Sequence, residues 1–459
     1  MTSHTFPYSL PLLIIVFIIF FFAVTCNGQV PANKTFKFIN EGPFGNEGDF
    51  TYLAEAEYGA TYRPIHTDIY NFYEIPFRLC FYNTTPNSYI FGIRAGIPDD
   101  NELMRWVWDA NRNLPVRENA SLNFGRDGNL VLADVDGTIV WQTGTSNKGI
   151  VGIKLTPNGN LVLFDKKGKY IWQSFDYPSD TLFVGMSIRR CINKLISRTS
   201  DSIGSDGKYS LLLDDGGFNL YMNNSGHPLK YNGWPGNWGR TVKFAIERVD
   251  STVDQLVLYI YLNSIPGSDA FPKIPDGIQV LTKVNYNATF TFFRLESNGN
   301  IKAYSYYDKP RFNRWSETFS FFSNYYEEEC RLPSKCGSYG LCQKGMCVAC
   351  PSPKGLLGWS ESSCEPPKLK PCGTKVPKGD YYKLVGVQHF LSGPNINGGI
   401  GNFGEGPMPV EACREKCTKD CQCKGFIYKE DLCMCLVVPV LGTLYKGDSN
   451  STAYIKYTK

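Results

Sequence analysis

Asp127, Asn129 and Val131 stand two residues apart, and Asn158, Asn160 and Val162 repeat the arrangement further on. A strand turns successive side chains to opposite faces, so each trio shares one face while Leu130 and Leu132, or Leu161 and Leu163, share the other. The leucine face builds a core, and the face with the carboxylate or amides beside valine is available for recognition. The same residues also suit a plainer role, since Asp127-Gly128-Asn129 and Asn158-Gly159-Asn160 are what a tight turn entering a strand requires. Side chains for turnover are poorly placed. His66, His227 and His389 are far apart in sequence, without metal-ligand spacing, and there is no Gly-x-Ser-x-Gly elbow. Cys347-Val-Ala-Cys350 has the spacing of a redox or zinc pair, but so many neighbouring cysteines favour structural disulfides. Gly399-x-Gly401-x-x-Gly404 fits a dinucleotide fingerprint only on paper, because no strand-turn-helix context surrounds it. A polysaccharide hydrolase would need only two carboxylates and ranks last. No metal or cofactor is implied, and the expectation is a binding protein, not an enzyme.

The elements that carry the two trios are themselves repeated. Asp127 to Thr143 returns as Asn158 to Ser174, with Gly128 and Gly159, like Trp141 and Trp172, 31 residues apart. Each copy starts on an Asx-Gly turn, alternates polar and apolar residues, turns again at Gly137 or Gly168 and runs into Ile-Val-Trp or Tyr-Ile-Trp. That is a β-hairpin used more than once in one core. Ile75-Pro-Phe-Arg-Leu-Cys-Phe-Tyr82 and Ser88-Tyr-Ile-Phe-Gly-Ile-Arg94 alternate as half-buried strands, and Leu256 to Leu262 and Ala288 to Leu295 are further strands. Asn298-Gly-Asn-Ile-Lys-Ala-Tyr304 echoes the repeat and suggests a second unit of the same kind.

The whole chain is that of a secreted protein. Residues Leu12 to Val24 form an uninterrupted apolar run, too short to span a bilayer, followed by Thr-Cys-Asn-Gly, and cleavage is expected near Gly28. No later stretch reads as a membrane span or a lipid-anchor signal. Glycosylation sequons stand at Asn33, Asn83, Asn119, Asn223, Asn287 and Asn450. Of 16 cysteines, 13 lie between Cys330 and Cys435, so this stretch is stapled rather than packed. From Pro366 to Lys459 there are 13 Lys and Arg against 8 Asp and Glu, within a net charge of +4 for the chain. No basic run would grip nucleic acid. The excess suits a solvated surface or an anionic partner such as acidic wall polysaccharide.

Trp106-Val-Trp-Asp-Ala-Asn-Arg-Asn-Leu-Pro-Val116, the paired Gly-Asn-Leu-Val-Leu hairpins ending in Trp-Gln, and Trp172-Gln-Ser-Phe-Asp-Tyr-Pro-Ser-Asp-Thr-Leu182 resemble the bulb-type lectin domain of plants. Tyr209 to Asp214 and Arg294 to Tyr304 resemble the second, S-locus-glycoprotein region, and the order of parts is similar to that of secreted, epidermis-type extracellular glycoproteins. The resemblance implies a mainly β chain of tandem β-prisms with three-fold pseudosymmetry, followed by a small disulfide-rich EGF-like region and an α+β PAN module. The implied boundaries are a signal peptide over 1–28, the lectin domain over 29–185, a second lectin-like domain over 186–327, the EGF-like region over 328–366 and the PAN module over 367–459.

The same resemblance implies mannose-type glycan binding through Gln-x-Asp-x-Asn-x-Val-x-Tyr on one strand face. The first repeat supplies Gly125, Asp127, Asn129, Val131 and Ala133 at those positions, and the second Thr156, Asn158, Asn160, Val162 and Phe164. The echo supplies Glu296, Asn298, Asn300, Lys302 and Tyr304. None is intact. A glycan binder of the cell wall or apoplast is therefore set beside a protein with decayed sites that acts through protein contacts, the PAN module among them.

Cys330, Cys336, Cys342, Cys347, Cys350 and Cys364 would form three bridges, and Cys372, Cys413, Cys417, Cys421, Cys423 and Cys435 three more, with Cys433 as the alternative to Cys435. Glu411 to Cys417 has helical spacing that sets Cys413 and Cys417 one turn apart. With Cys26 removed in the signal the total is odd. At least one thiol is then free or bridges to a partner chain, which leaves a homo-oligomer open; Cys80 suits a buried strand position, and Cys191 could pair with it or with a partner.

Overall fold

The computed structural model describes residues 30–45, 56–97, 103–200, 204–249, 253–262, 274–285, 288–310, 314–323, 329–360, 364–369, 380–392, 404–447 and 450–458. The expected signal, Asn287, Cys372 and most of the Gly399-x-Gly401-x-x-Gly404 stretch lie outside them. The chain is mainly β, and it divides into two compact units, residues 1–174 and 175–459.

Three antiparallel sheets make the first unit. One holds Phe36–Ile39, Ser121–Phe124, Leu130–Ala133 and Ile139–Gln142 in that order, so the first repeat hairpin is its outer half. The second is Ile150–Leu155, Leu161–Asp165 and Tyr170–Gln173, the second repeat. The third runs Thr61–Pro64, Phe77–Thr85, Ser88–Ala95, Arg105–Asp109, with Tyr73–Glu74 paired to Phe77–Thr85. Each sheet sends one tryptophan inward. Trp141 lies 6.1 Å from Trp108 and 5.7 Å from Trp172, and Trp108 lies 6.2 Å from Trp172, every pair edge to face. Such T-shaped contacts are favourable beyond simple area burial, and this triangle is the axis of the prism.

The turn glycines of the repeats are required by the same assembly. Gly128 and Gly159 both have a φ of +82°, and a Cβ would come within 2.6 Å of Ile150 and 2.9 Å of Phe77 respectively. Each hairpin thus presses its first turn against the neighbouring sheet, where only glycine fits.

The strands expected to be half-buried are buried almost throughout. Phe77 to Tyr82 and Tyr89 to Ala95 are enclosed, with Arg94 fully buried. Alternation foretells one wet face, but a second small core of Ala56, Ala60, Tyr62, Tyr82, Met104 and Trp106 covers it. Tyr82 stacks on Trp106 at 3.8 Å, and Arg94 donates to the Gly96 carbonyl at 2.6 Å beside the Tyr62 ring.

The second unit begins with three further antiparallel sheets, each of four strands. Their outermost strands in sequence are Thr181–Phe183 and Trp315–Ser320, Ser187–Arg189 and Gly277–Asn285, and Leu195–Arg198 and His227–Pro235. Thr181–Phe183 pairs with Phe290–Leu295, so residues 181–183, assigned from sequence to the first domain, are a strand of this second prism. Beyond it, Gly355–Gly358, Met346–Ser352, Tyr339–Gln343, Gly442–Lys446 and Val387–His389 form one sheet in that order. Tyr339–Gln343 runs parallel to Gly442–Lys446, and Tyr339, Leu341, Val387, Ile427 and Leu444 share one core. Sheet and core therefore bridge the boundary expected at 366/367. A last sheet of Asp380–Val385, Ser451–Tyr457, Gly425–Lys429 and Met434–Val438 receives helix α1 (Val410–Lys419). Cys413 and Cys417 on α1 bond Cys435 and Cys423.

Candidate carbohydrate-recognition face

The first hairpin places its residues as a strand must. Leu130 and Leu132 are fully buried, while Val131 and Ala133 are half-buried on the outer face. Asn123 and Gln142 lie directly opposite Val131 on the two flanking strands. Directly opposed residues point to the same face, so Val131 is an apolar floor between two amides.

Asn129 is 7 % exposed, and its amide is engaged inside the hairpin. Its Nδ2 donates to Gln142 Oε1 at 2.8 Å, and its Oδ1 accepts from Thr143 Oγ1 at 3.0 Å and from the Thr145 backbone N–H at 3.1 Å. Thr143 Oγ1 in turn accepts the Leu130 N–H at 3.1 Å. The side chain closes the open end of the hairpin, tying its start to its exit. Asp127 is also held: its Oδ1 accepts the Asn129 N–H at 3.2 Å and its Oδ2 accepts Ser146 Oγ at 2.5 Å. Carboxylate oxygens have further lone pairs, and Gln142, using its carbonyl on Asn129, keeps its amide N–H groups for the outer face.

The second repeat uses the same clamp. Asn160 Nδ2 donates to Gln173 Oε1 at 2.9 Å, and Asn160 Oδ1 accepts from Ser174 Oγ at 3.1 Å. Its outer face is filled. Val162 is fully buried, with Lys154 and Gln173 directly opposite. The Phe164 ring lies over Gly152, where a Cβ would come within 2.7 Å of it. The Lys154 ammonium sits 5.5 Å from the Phe164 ring and 5.7 Å from the Tyr170 ring, a cation against two aromatic rings. Asn158 accepts a 2.6 Å hydrogen bond from Thr156 Oγ1 in the turn.

The echo in the second unit repeats the clamp with serine in place of glutamine: Asn300 Nδ2 donates to Ser320 Oγ at 3.0 Å, and its Oδ1 accepts the Phe322 N–H at 3.0 Å. Tyr304 donates to Glu296 at 2.9 Å and Lys302 pairs with Glu317 at 2.7 Å. Of the three faces, the first alone keeps a half-open apolar floor flanked by amides. Asn123 and Gln142 are the residues that a search along one strand misses. The signal for Gln142 is its fixed offset from Asn129, repeated by Gln173 and Asn160.

Sequons and cysteines complete the inventory. Asn33, Asn119, Asn223 and Asn450 are exposed, whereas Asn83 is 8 % exposed and its side-chain oxygen accepts a hydrogen bond from Thr61. Bridges join Cys330 to Cys342, Cys336 to Cys347 and Cys350 to Cys364, and Cys421 is also disulfide-bonded. Cys80 is buried on its strand outside any disulfide, and Cys191 and Cys433 are exposed free thiols. The expectation that Cys191 could pair with Cys80 is corrected: both are reduced.

Three sheets meeting on one tryptophan each, two of them carrying hairpins that open on Asx-Gly-Asn, define a protein of the bulb-type lectin class. In agreement, residues 105–204 match the family described as D-mannose binding lectin. The chain is 49 % identical to EP1-like glycoprotein 2 of Arabidopsis thaliana, over 94 % of this chain and 95 % of that protein. It is 41 % identical to the epidermis-specific secreted glycoprotein EP1 of Daucus carota, over 79 % of this chain and 93 % of that one. The chain belongs to this family of EP1-like secreted plant glycoproteins. Among solved structures it is similar to a fetuin-binding two-domain lectin, Scilla campanulata agglutinin, at 14 % identity over 61 % of this chain and 93 % of that chain, with a TM-score of 0.16.

Proposed function

We propose that the protein is an apoplastic or cell-wall glycoprotein that binds a mannose-type glycan weakly through one face, that of the first repeat. The observation that supports this reading is Val131, half-open between Asn123 and Gln142, with Asp127 at the turn. A sugar offers C–H groups to an apolar floor and hydroxyls to the amides and carboxylate around it. Because water already satisfies those hydroxyls, each group left unpaired in the complex costs about 1–3 kcal/mol, and a site lacking the Gln and Tyr of the full pattern binds weakly.

The alternative is a wall protein acting by protein contacts, including those of the last module. It draws support from the outer face of the second repeat, which its own Phe164 and Lys154 occupy. A hydrolase has no comparable support.

Retention on immobilised mannosides and high-mannose glycans separates the two. Wild type is expected to be retarded, Asn123→Ala and Gln142→Ala to lose at least tenfold in affinity, and Lys154→Ala to behave as wild type. Absence of retention, or retention unchanged by Asn123→Ala and Gln142→Ala, refutes the first-repeat site.

A further inference from the structure

The five-stranded sheet of the second unit ends on Gly355–Gly358, and among the described residues no strand pairs with its outer edge. All four residues of that strand are exposed. Leu356 is 53 % and Leu357 58 % exposed, and Trp359, Met346 and Val348 beside them are 37 %, 66 % and 40 % exposed. Isolated apolar residues at a surface are ordinary, but an open edge strand whose two leucines are exposed, one on each face, with Trp359 just past it and Met346 and Val348 on the adjoining strand, is a pairing template that soluble proteins normally blunt. Here the strand itself carries no charge, proline or bulge.

The edge has a definite hydrogen-bonding face. Pro353 and Lys354 form a two-residue turn between Ser352 and Gly355, which are paired. In such a hairpin the flanking pair is the hydrogen-bonded one, so the next pair, Pro351 with Leu356, is not, as suits a proline without an N–H. Leu356 and Gly358 therefore turn their N–H and C=O groups outward, while Gly355 and Leu357 use theirs inward.

The geometry points to a second copy of this chain as the partner, joined by antiparallel pairing of the two Gly355–Gly358 edges about a two-fold axis at Leu357. In that register Leu356 of each copy meets Gly358 of the other, and both outward residues of both strands are satisfied. Leu357 faces its own counterpart across a non-hydrogen-bonded position, where side chains approach most closely. Gly355 faces Trp359, whose indole covers the bare glycine backbone, a pairing that rescues edge glycines. Lys344 and Lys354 are the charged residues of 339–360, and Lys354 falls opposite Ser360, so no like charges oppose each other. The apolar area at this edge falls below the roughly 1,000 Å² of a stable specific interface, which suits a weak, reversible contact carried by main-chain hydrogen bonds. A reversible dimer in the micromolar range follows, presenting two first units per assembly.

Sedimentation equilibrium of the secreted, glycosylated full chain tests this, from about 1 to 100 µM, the range in which a dissociation constant of that order is read. Cys191 and Cys433 are alkylated first so that no intermolecular disulfide contributes. Leu357→Lys and Leu357→Glu lie on an exposed position that folding does not need. Each alone is expected to raise the dissociation constant at least tenfold, because the axis brings like charges together. An equimolar mixture is expected to recover association, because Lys then meets Glu. A wild type that stays monomeric throughout, variants that dimerise like wild type, or a mixture that fails to recover would each overturn the proposal.

Discussion

Replacing Asn129 by alanine removes the clamp of the first hairpin, and its cost can be worked from the partners left behind. Gln142 is exposed and re-solvates, and Thr143 Oγ1 retains Thr145 Oγ1 at 2.7 Å. The Thr145 backbone N–H has no such recourse, because Thr145 is 2 % exposed and its hydrogen bond is to Asn129 Oδ1. An orphaned buried donor costs about 1–3 kcal/mol, and loss of the two neutral side-chain bonds brings the expected destabilisation to about 2–3 kcal/mol. For a unit of this size that corresponds to a fall in melting temperature of roughly 5–10 °C. Asn129→Asp keeps the acceptor for Thr143 and Thr145 and gives up only the donor to Gln142, whose amide can reverse and donate instead; it should cost under about 1 kcal/mol. Urea or thermal unfolding followed by tryptophan fluorescence, with glycan retention measured on the same samples, is the assay. If Asn129→Ala leaves stability unchanged while abolishing retention, the clamp is not structural and the argument from its partners fails.

Two other outcomes are expected. His389 is fully buried, its Nε2–H donating to the Leu441 carbonyl at 2.6 Å, and burial lowers its pKa from 6.5 to about 4. The unfolded chain therefore binds the extra proton first as pH falls. The stabilisation is complete above about 6.5 and is lost progressively toward pH 4, by about 3 kcal/mol; Asn or Gln at position 389 should flatten that slope in chemical denaturation measured across pH. Among the sequons, glycopeptide mapping should find Asn33, Asn119, Asn223 and Asn450 occupied and Asn83 bare, since a glycan on Asn83 would have to displace Thr61 from the third sheet; an occupied Asn83 in folded protein contradicts the strand placement.

Period-two alternation was enough to read the hairpins, because Leu130, Leu132, Leu161 and Leu163 all face inward as alternation requires. The burial of Val162 was illegible for the same reason. Its cover comes from Lys154 and Phe164, whose approach depends on the glycine at 152 across the sheet rather than on any local pattern. The strands from Phe77 to Ala95 show the converse error, in which alternation forecast a wet face that a loop and the Tyr62–Trp106 cluster cover. Asn129 and Asn160 were open to two readings, turn and ligand. Their partners, 13 residues downstream, emerge only once the strands are in register. Along Gly355–Gly358 the adjacent leucines stand in the sequence without any local sign of their exposure, and which of them turns its backbone groups outward depends on the two-residue turn.

The tryptophan triangle has a bearing on survival outside the cell. Because each indole is contributed by a different sheet and touches both others, detaching any one sheet uncovers the other two rings. Partial opening is then nearly as costly as complete unfolding, and the first unit should open as a whole or not at all. A protease in the surrounding fluid would find its substrate in the small globally unfolded fraction, not in a frayed sheet, so resistance to digestion of this unit should follow its overall unfolding free energy.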